Sequence, residues 1–562
     1  MDATFDHTFD VVVVGSGAAA FAAAIAAADR GLGVVMIEGS DRWGGSTAMS
    51  GGGLWLPNNP LMRRAGAADS RDEALAYMEQ TVGNDAGPAA SAERRAAFVD
   101  GVDGLVEVLE RLGVRFARAA DYPDYYPELP GGKIGRALEV EPFDVAGIGS
   151  WWESSRGQDG LPAPVKTDDF WLLQRGWSSP GGFFRGARVA KRVATMVIKR
   201  EHLVGMGAAL SAALLAVAQP LGVDLWLSTP LTGLIVEDGR VVGVRATRGS
   251  RDITIGATAG VVLGGGGFDH NRMWRERYHG VSGDASSGSR SNLGSVIAVA
   301  ERAGAALDLM DDAWWGASVP PVQPEGTPAF LVSERSMPHS IIVDAVGRRF
   351  ANESESYVDL GHHMLGHAAK GRFWLVADAR HAHRYLRSYA LDPRMTRAMA
   401  KAGVLHRADT LTALAGSAGM HASVLEASVA RFNGFARTGI DHDFHRGDSA
   451  YDRYYGDPLC HPNPNLGTLE KPPFTAIELV PGDLGTKGGV VTDADARVLR
   501  ADGSAIEGLY AAGNCSASVM GRTYPGPGAT LGAATVFGHL AALHLAGASR
   551  PRPQPAGVTA TG

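Results

Sequence analysis

Hydrophobic and polar positions along the chain follow two periods. Residues 9–14 form a short unbroken apolar run rich in valine, the pattern of a parallel strand covered on both faces. Small residues from Ala18 to about Asp29 read as a helix, and 33–38 as a second strand, completing a βαβ unit. Strands ending in glycine recur at 259–267 and 508–514. The segment 234–247 reads as a hairpin turning on Asp238-Gly239. Helices are expected at 203–218, stopped by Pro220, and from about Gly532 to Gly547. Three glycine-ended strands so far apart predict an α/β fold, with one Rossmann-like nucleotide-binding domain interrupted by an inserted α+β catalytic domain. The nucleotide-binding domain is expected over 1–310 and 480–550, and the catalytic domain over 311–479. A further insertion is expected at 129–201 and a flexible polar tail at 551–562.

Two apolar stretches invite a membrane reading and fail it. Residues 11–28 are broken by Gly15-Ser16-Gly17 and follow Asp2, Asp6 and Asp10, where a signal peptide carries positive charge. Residues 203–218 are too short to span. A cytoplasmic protein is expected. Apolar residues make up 45% and charged ones 20%, which excludes disorder as the main state. With 53 basic and 60 acidic side chains the net charge is −7, which offers no basic face for nucleic acid. Cys460 and Cys515 stand alone, so no disulfide framework, zinc-thiolate site or covalent haem is expected. His362, His363 and His367 lack an acidic helix motif such as HExxH and read as a polar cluster, not a metal site.

Candidate chemistry begins at Gly15-x-Gly17-x-x-Ala20. Gly15 permits the tight turn, Gly17 lets backbone approach a pyrophosphate, Ala18, Ala19 and Ala20 open the helix whose N-terminus attracts it, and the small Ala20 also allows close helix–strand packing. Glu38, ending the next strand, is placed to bind a ribose. Gly44, Gly45, Ser46 and Thr47, then Ser50, Gly51, Gly52 and Gly53, follow at once with backbone N–H groups and hydroxyls. That arrangement points to FAD rather than NAD. It resembles the fumarate reductase and succinate dehydrogenase flavoprotein superfamily, in which Gly513 and Asn514 would form a second flavin-contacting segment. No Cys or His tether motif is recognisable, so the FAD is expected to be noncovalent.

Tyrosines mark three further loops: Asp124-Tyr125-Tyr126-Pro127, Asn352 to Tyr357, and Thr523-Tyr524-Pro525-Gly526-Pro527-Gly528. With STAMSGGGLWLPNN (46–59), DAWWG (312–316) and DLGTKGGVVTD (483–493), they resemble the 3-ketosteroid Δ1-dehydrogenases. The resemblance implies a 3-ketosteroid substrate and an unidentified electron acceptor. It implies Tyr357 as the base for the C2 proton and Tyr125 as its hydrogen-bonding assistant, unless Tyr126 takes that place. Tyr524 and the Gly528 N–H would bind the C3 oxygen. The chemistry is coherent in itself, because a proton α to a ketone becomes acidic only when the enolate oxygen is stabilised. Rival readings are a fumarate-reductase-like enoate reductase, which needs an arginine where only Arg522 stands, and a Δ4-(5α)-ketosteroid dehydrogenase, which needs a serine where Gly526 stands. A hydratase or isomerase with structural FAD is a rival of another class.

Three features stand apart. The family's Asn-Thr-Gly-Asp segment reads Asn292-Leu293-Gly294-Ser295, which puts that loop's polar contacts in doubt. Trp314 and Trp315 suit a pocket wall or a core equally. Residues 183–200 form a basic amphipathic helix with Val189, Val193, Met196 and Val197 on one face and Arg185, Arg188, Arg192 and Lys199 largely opposite. Such a helix suits peripheral contact with the inner face of a membrane, or simply a basic surface helix.

Overall fold

The computed structural model describes residues 4–83, 86–159, 163–176, 178–323, 326–367, 371–390 and 392–548. The polar tail at 551–562 lies outside the described residues.

An eight-stranded sheet forms the centre. The valine run becomes strand His7–Val14, which pairs in parallel with Val34–Ile37 on one side and Arg251–Leu263 on the other. Ala505–Ala511 extends the sheet in parallel beyond Arg251–Leu263. All three glycine-ended runs therefore join one sheet. Val11, Val12 and Val13 are fully buried, which explains why the run does not alternate. The hairpin joins Leu231–Glu237 to Arg240–Arg248, with φ of 50° at Asp238 and 81° at Gly239. A two-residue type I′ turn requires both positive values.

Two apolar helices pack together beside this sheet. Ala18–Ala28 meets Ala529–Ala548 so closely that a Cβ at Gly538 would stand 2.2 Å from the Ala19 carbonyl oxygen. The second helix begins directly after Gly528, earlier than the expected Gly532, so its N-terminus opens onto the site described below. It is long and apolar enough to cross a membrane, yet 67% of that window is buried within the fold. It is a core helix.

The insertion carries a second, antiparallel sheet, in which the long strand Phe474–Thr486 pairs with Ala313–Val319 and Phe373–Ala377. The overall class is the expected one: a Rossmann-like domain interrupted by an α+β domain. Trp314 and Trp315 lie on Ala313–Val319, both buried as core aromatics.

The basic amphipathic segment divides differently from the expectation. Pro180–Lys199 is a helix, but Arg185 and Arg192 turn inward to the Asp169 carboxylate at 3.3 and 3.0 Å. Val189, Val193 and Met196 are half-buried on that same side. Cations that can reach an acid on the protein take the inner face. Phe183, Phe184, Val197 and Ile198 are left outside, Ile198 with 81% of its surface exposed, among Arg188, Lys191 and Lys199.

Candidate active site

A cavity of about 860 Å³ lies between the two sheets' loops. Gly15, Gly17, Ala18, Ala19 and Glu38 line it from the first βαβ unit. Gly45, Ser46, Thr47 and Ser50 to Gly53 line it from the following loop, and Gly513 and Asn514 from the C-terminal strand. Gly15 has φ of 102°, and a Cβ there would stand 2.4 Å from the Gly264 carbonyl oxygen. The two glycine-ended strands abut there, and no other residue fits. The Gly17 N–H finds no acceptor among the described residues, while the next, Ala18 N–H, donates to Thr47 Oγ1 at 3.0 Å. Glu38 accepts from Ser16 Oγ at 2.6 Å and Ser40 N–H at 2.9 Å, and burial pushes its carboxyl above the ordinary range.

Two expected positions do not line the cavity. Ala20 is packed within 3.0 Å of where a Gly264 Cβ would stand, so it serves helix–strand contact only. Gly44 takes φ of 99° and donates its N–H to Ser16 Oγ at 3.0 Å, so it shapes the loop from behind.

In the altered Asn292–Ser295 segment the polar side-chain contacts come from Asn292, the residue that matches the family's motif. Asn292 Nδ2 donates to Ser46 Oγ at 3.0 Å and to Asp269 Oδ2 at 2.5 Å. Asp269, fully buried, also accepts from Thr486 N–H at 2.9 Å. A carboxylate from elsewhere in the chain thus anchors the loop, which sequence spacing could not reveal. Gly294 and Ser295 line the cavity at the start of helix Ser295–Arg302.

Tyr125, Tyr357 and Tyr524 come together on one wall. Ring centroids lie 5.4 Å apart for Tyr125 and Tyr357, 5.1 Å for Tyr125 and Tyr524, and 5.0 Å for Tyr357 and Tyr524. Each is at most 4% exposed. Tyr126 points away and donates to the Asp359 carboxylate at 2.9 and 3.0 Å, so Tyr125 alone of that pair faces Tyr357. Tyr451 extends the cluster, 4.4 Å from Tyr125, and Tyr122, also lining the cavity, hydrogen-bonds Tyr455. These were missed, although the YDRYY segment at 451–455 repeats the signal. Burial pushes the Tyr357 phenol well above its usual range, and Tyr524 adds to this; a hydrogen bond with Tyr125 works the other way. Neighbours that lower this phenol are thus present but outweighed by burial. Tyr357 also opens helix Tyr357–Gly366, whose N-terminal end favours negative charge.

Gly528 completes this wall. Its φ is 88°, a Cβ would stand 2.2 Å from the Gly53 carbonyl oxygen, and its N–H has no acceptor among the described residues. Its carbonyl accepts from Trp55 N–H at 3.0 Å. Behind it, Trp55 Nε1 donates to Asp124 Oδ1 at 2.7 Å, and Arg136 clamps Asp124 and Asp69 at 2.8 and 2.7 Å, all buried. Trp314 and Trp315 stay out of the cavity: Trp314 meets Tyr524 edge-on at 5.3 Å, and Trp315 Nε1 donates to Asp312. His362, His363 and His367 pair with Asp312, Glu355 and Asp344, and among the described residues no group of side chains suits a metal.

A family model for an FAD binding domain matches residues 10–531. The 3-oxosteroid 1-dehydrogenase of Mycobacterium tuberculosis is 46% identical over 96% of this chain and 98% of its own length. The chain belongs to the 3-oxosteroid 1-dehydrogenase family. Its members are FAD-dependent oxidoreductases. The 4-oxocyclohexanecarboxylate 2-dehydrogenase of Sinomonas cyclohexanicum, 36% identical over 96% of the chain and 93% of its own, is a more distant relative. The crystal structure of 3-ketosteroid Δ1-dehydrogenase from Sterolibacterium denitrificans with 1,4-androstadiene-3,17-dione superposes with a TM-score of 0.90, at 36% identity over 97% of this chain and 100% of that one. The residues present suit this family's FAD. The unpaired Gly17 N–H, the helix N-termini at Ala18 and Ser295, and the closeness that glycine allows at 15 make a cradle for a dinucleotide. Among the described residues no cysteine or histidine lines the cavity.

Proposed function

We propose that this protein desaturates the C1–C2 bond of a 3-ketosteroid. The observation that carries the proposal is the meeting of three buried phenols with one unpaired N–H on a single cavity wall. Tyr357 takes the C2 proton. Tyr125, its ring 5.4 Å from that of Tyr357, stabilises the phenolate that must form first. The Tyr524 hydroxyl and the Gly528 N–H, at the N-terminus of helix Ala529–Ala548, hold the C3 oxygen as negative charge develops there. FAD, held by Gly17, Ser46, Thr47 and Glu38, supplies the acceptor for the C1 hydrogen and its electron pair when bound. The C1–C2 double bond is left behind.

Two rival readings lose their residues. Arg522 pairs with Asp311 on the surface, 2.8 Å away, and does not line the cavity; Arg156, which does, is held by the Ser40 and Ser291 hydroxyls at the Glu38 end, away from the tyrosine wall. A side chain at Gly526 would stand 2.3 Å from the Trp55 ring, which leaves no room for the serine of the Δ4-(5α) enzymes. Anaerobic titration of the holoenzyme with androst-4-ene-3,17-dione tests the proposal. Bleaching of the flavin absorption band is expected; an unchanged spectrum overturns it in favour of a hydratase or isomerase.

Helix Pro180–Lys199 is the element that would meet a membrane surface, its exposed Phe183, Phe184, Val197 and Ile198 entering the lipid boundary and Arg188 and Lys191 facing anionic headgroups. Co-sedimentation with phosphatidylglycerol vesicles is expected for the parent protein. At least a tenfold loss of binding is expected for Phe183→Ser/Phe184→Ser/Ile198→Ser. Equal sedimentation of both refutes membrane docking by this helix.

A further inference from the structure

The geometry points to Tyr77 as a positioning residue that holds two loops of the tyrosine site in register, an inference that rests on the proposed reaction. Tyr77 lies in helix Arg71–Val82 and does not line the cavity. Its ring is fully buried, tilted against Trp55 at 6.1 Å and lying under the Arg136 guanidinium at 5.3 Å. From that fixed seat the hydroxyl makes two bonds. It donates to the Pro525 carbonyl oxygen at 2.6 Å and accepts from the Tyr126 N–H at 3.1 Å.

Those two partners adjoin the chemistry. Pro525 sits between Tyr524 and the Gly526–Gly528 turn, and Tyr126 follows Tyr125 directly. The Pro525 carbonyl also accepts the Tyr125 N–H at 2.9 Å. One oxygen of the C3-binding loop therefore receives both the assistant tyrosine's own backbone and the Tyr77 hydroxyl, which in turn holds the next N–H of the assistant's loop. Among the described residues no strand pairing joins these two loops, so this three-way bond sets how far Tyr125 stands from Tyr524. Burial, with the Asp124 carboxylate nearby, raises the Tyr77 phenol well above its usual range and keeps it a donor. A displacement of about 1 Å between groups acting on one substrate costs roughly 10²-fold in rate. Binding, spread over the whole cavity, is far less sensitive.

Tyr77→Phe keeps the ring and deletes both bonds. With androst-4-ene-3,17-dione, kcat is expected to fall about 30- to 100-fold with KM within about threefold of the parent. The flavin content should be unchanged, and the primary isotope effect from deuterium at C2 should be larger than in the parent, since proton removal becomes slower. Thr81→Ala deletes another hydroxyl on the same helix, one that donates to the Tyr77 carbonyl at 2.9 Å, and is expected to keep kcat within about twofold. A Tyr77→Phe variant with near-parental kcat, an unchanged isotope effect, lost flavin, or a loss that Thr81→Ala matches overturns the assignment. A parent protein inert toward the steroid overturns the proposed reaction instead.

Discussion

Tyr357→Phe is expected to keep its FAD and its affinity for steroid and to lose at least about 10³-fold in kcat, since a general base contributes roughly 10²- to 10⁴-fold and nothing beside it can substitute. The ring would stay where it is. Its edge contacts with Phe330 at 5.2 Å, Tyr524 at 5.0 Å and Tyr125 at 5.4 Å need no hydroxyl. The Tyr125 phenol is itself pushed well up by burial and by the surrounding tyrosines, so it is a poor replacement base. Tyr524→Phe should be milder, about 10²-fold, because the Gly528 N–H remains to hold the C3 oxygen. The parent's pH profile checks the same assignment. Burial raises the Tyr357 phenol well above its ordinary range, so the phenolate fraction grows with pH, and kcat/KM should rise from pH 7 to beyond 9. Steady-state kinetics of both variants and this profile are the measurements. A Tyr357→Phe enzyme within tenfold of the parent, or a plateau at neutral pH, overturns the assignment of the base.

Much of this site could be read before any coordinates, and the part that could not has a common cause. The cofactor cradle is local: Gly15 to Glu38 form one βαβ unit, where turn chemistry and strand length are written in adjacent residues. The three tyrosines were found only because each sits in a loop with its own signature. What holds them was invisible. The bond from Tyr77 to Pro525 joins positions 448 residues apart, and Tyr77 by itself is one aromatic in an ordinary helix. Asp269, which anchors Asn292, lies on a turn with no ligand-like spacing. Helix Pro180–Lys199 shows a subtler limit. Its periodicity predicts an apolar and a basic face, but Asp169 draws Arg185 and Arg192 inward beside Val189, Val193 and Met196 and so splits both, and an acid on a neighbouring element leaves no trace in the helix's own pattern.

Glu353→Gln is expected to cost about 3–5 kcal/mol of stability, the largest effect expected from a residue that does not line the cavity, because it leaves buried guanidiniums without their counter-charge. The Glu353 side chain is fully buried and takes Arg349 at 2.7 Å and Arg446 at 3.0 Å. It also accepts the Ile342 N–H at 3.0 Å. Arg446, fully buried, also donates to the carbonyls of Ser340 and Met337, which hold it inward. Burial alone would raise the Glu353 carboxyl, but the two guanidiniums outweigh it and hold the pKa below the ordinary range. A carboxyl depressed in the folded state stabilises fully above its unfolded pKa, about 4.3, and that contribution fades as pH falls further. Parent stability attributable to this knot should therefore be flat from pH 6 to 8 and drop below about pH 4.5. In Glu353→Gln that acid-dependent part should be absent. The same segment runs on to Tyr357, and Asn352 and Ser354 tie it to Asp452 and Asn465, so the variant's kcat should fall with its stability. Urea unfolding at pH 7 and pH 4 measures both claims. A difference under 1 kcal/mol at pH 7 would mean that Asp441, 2.7 Å from Arg349, neutralises the knot without Glu353.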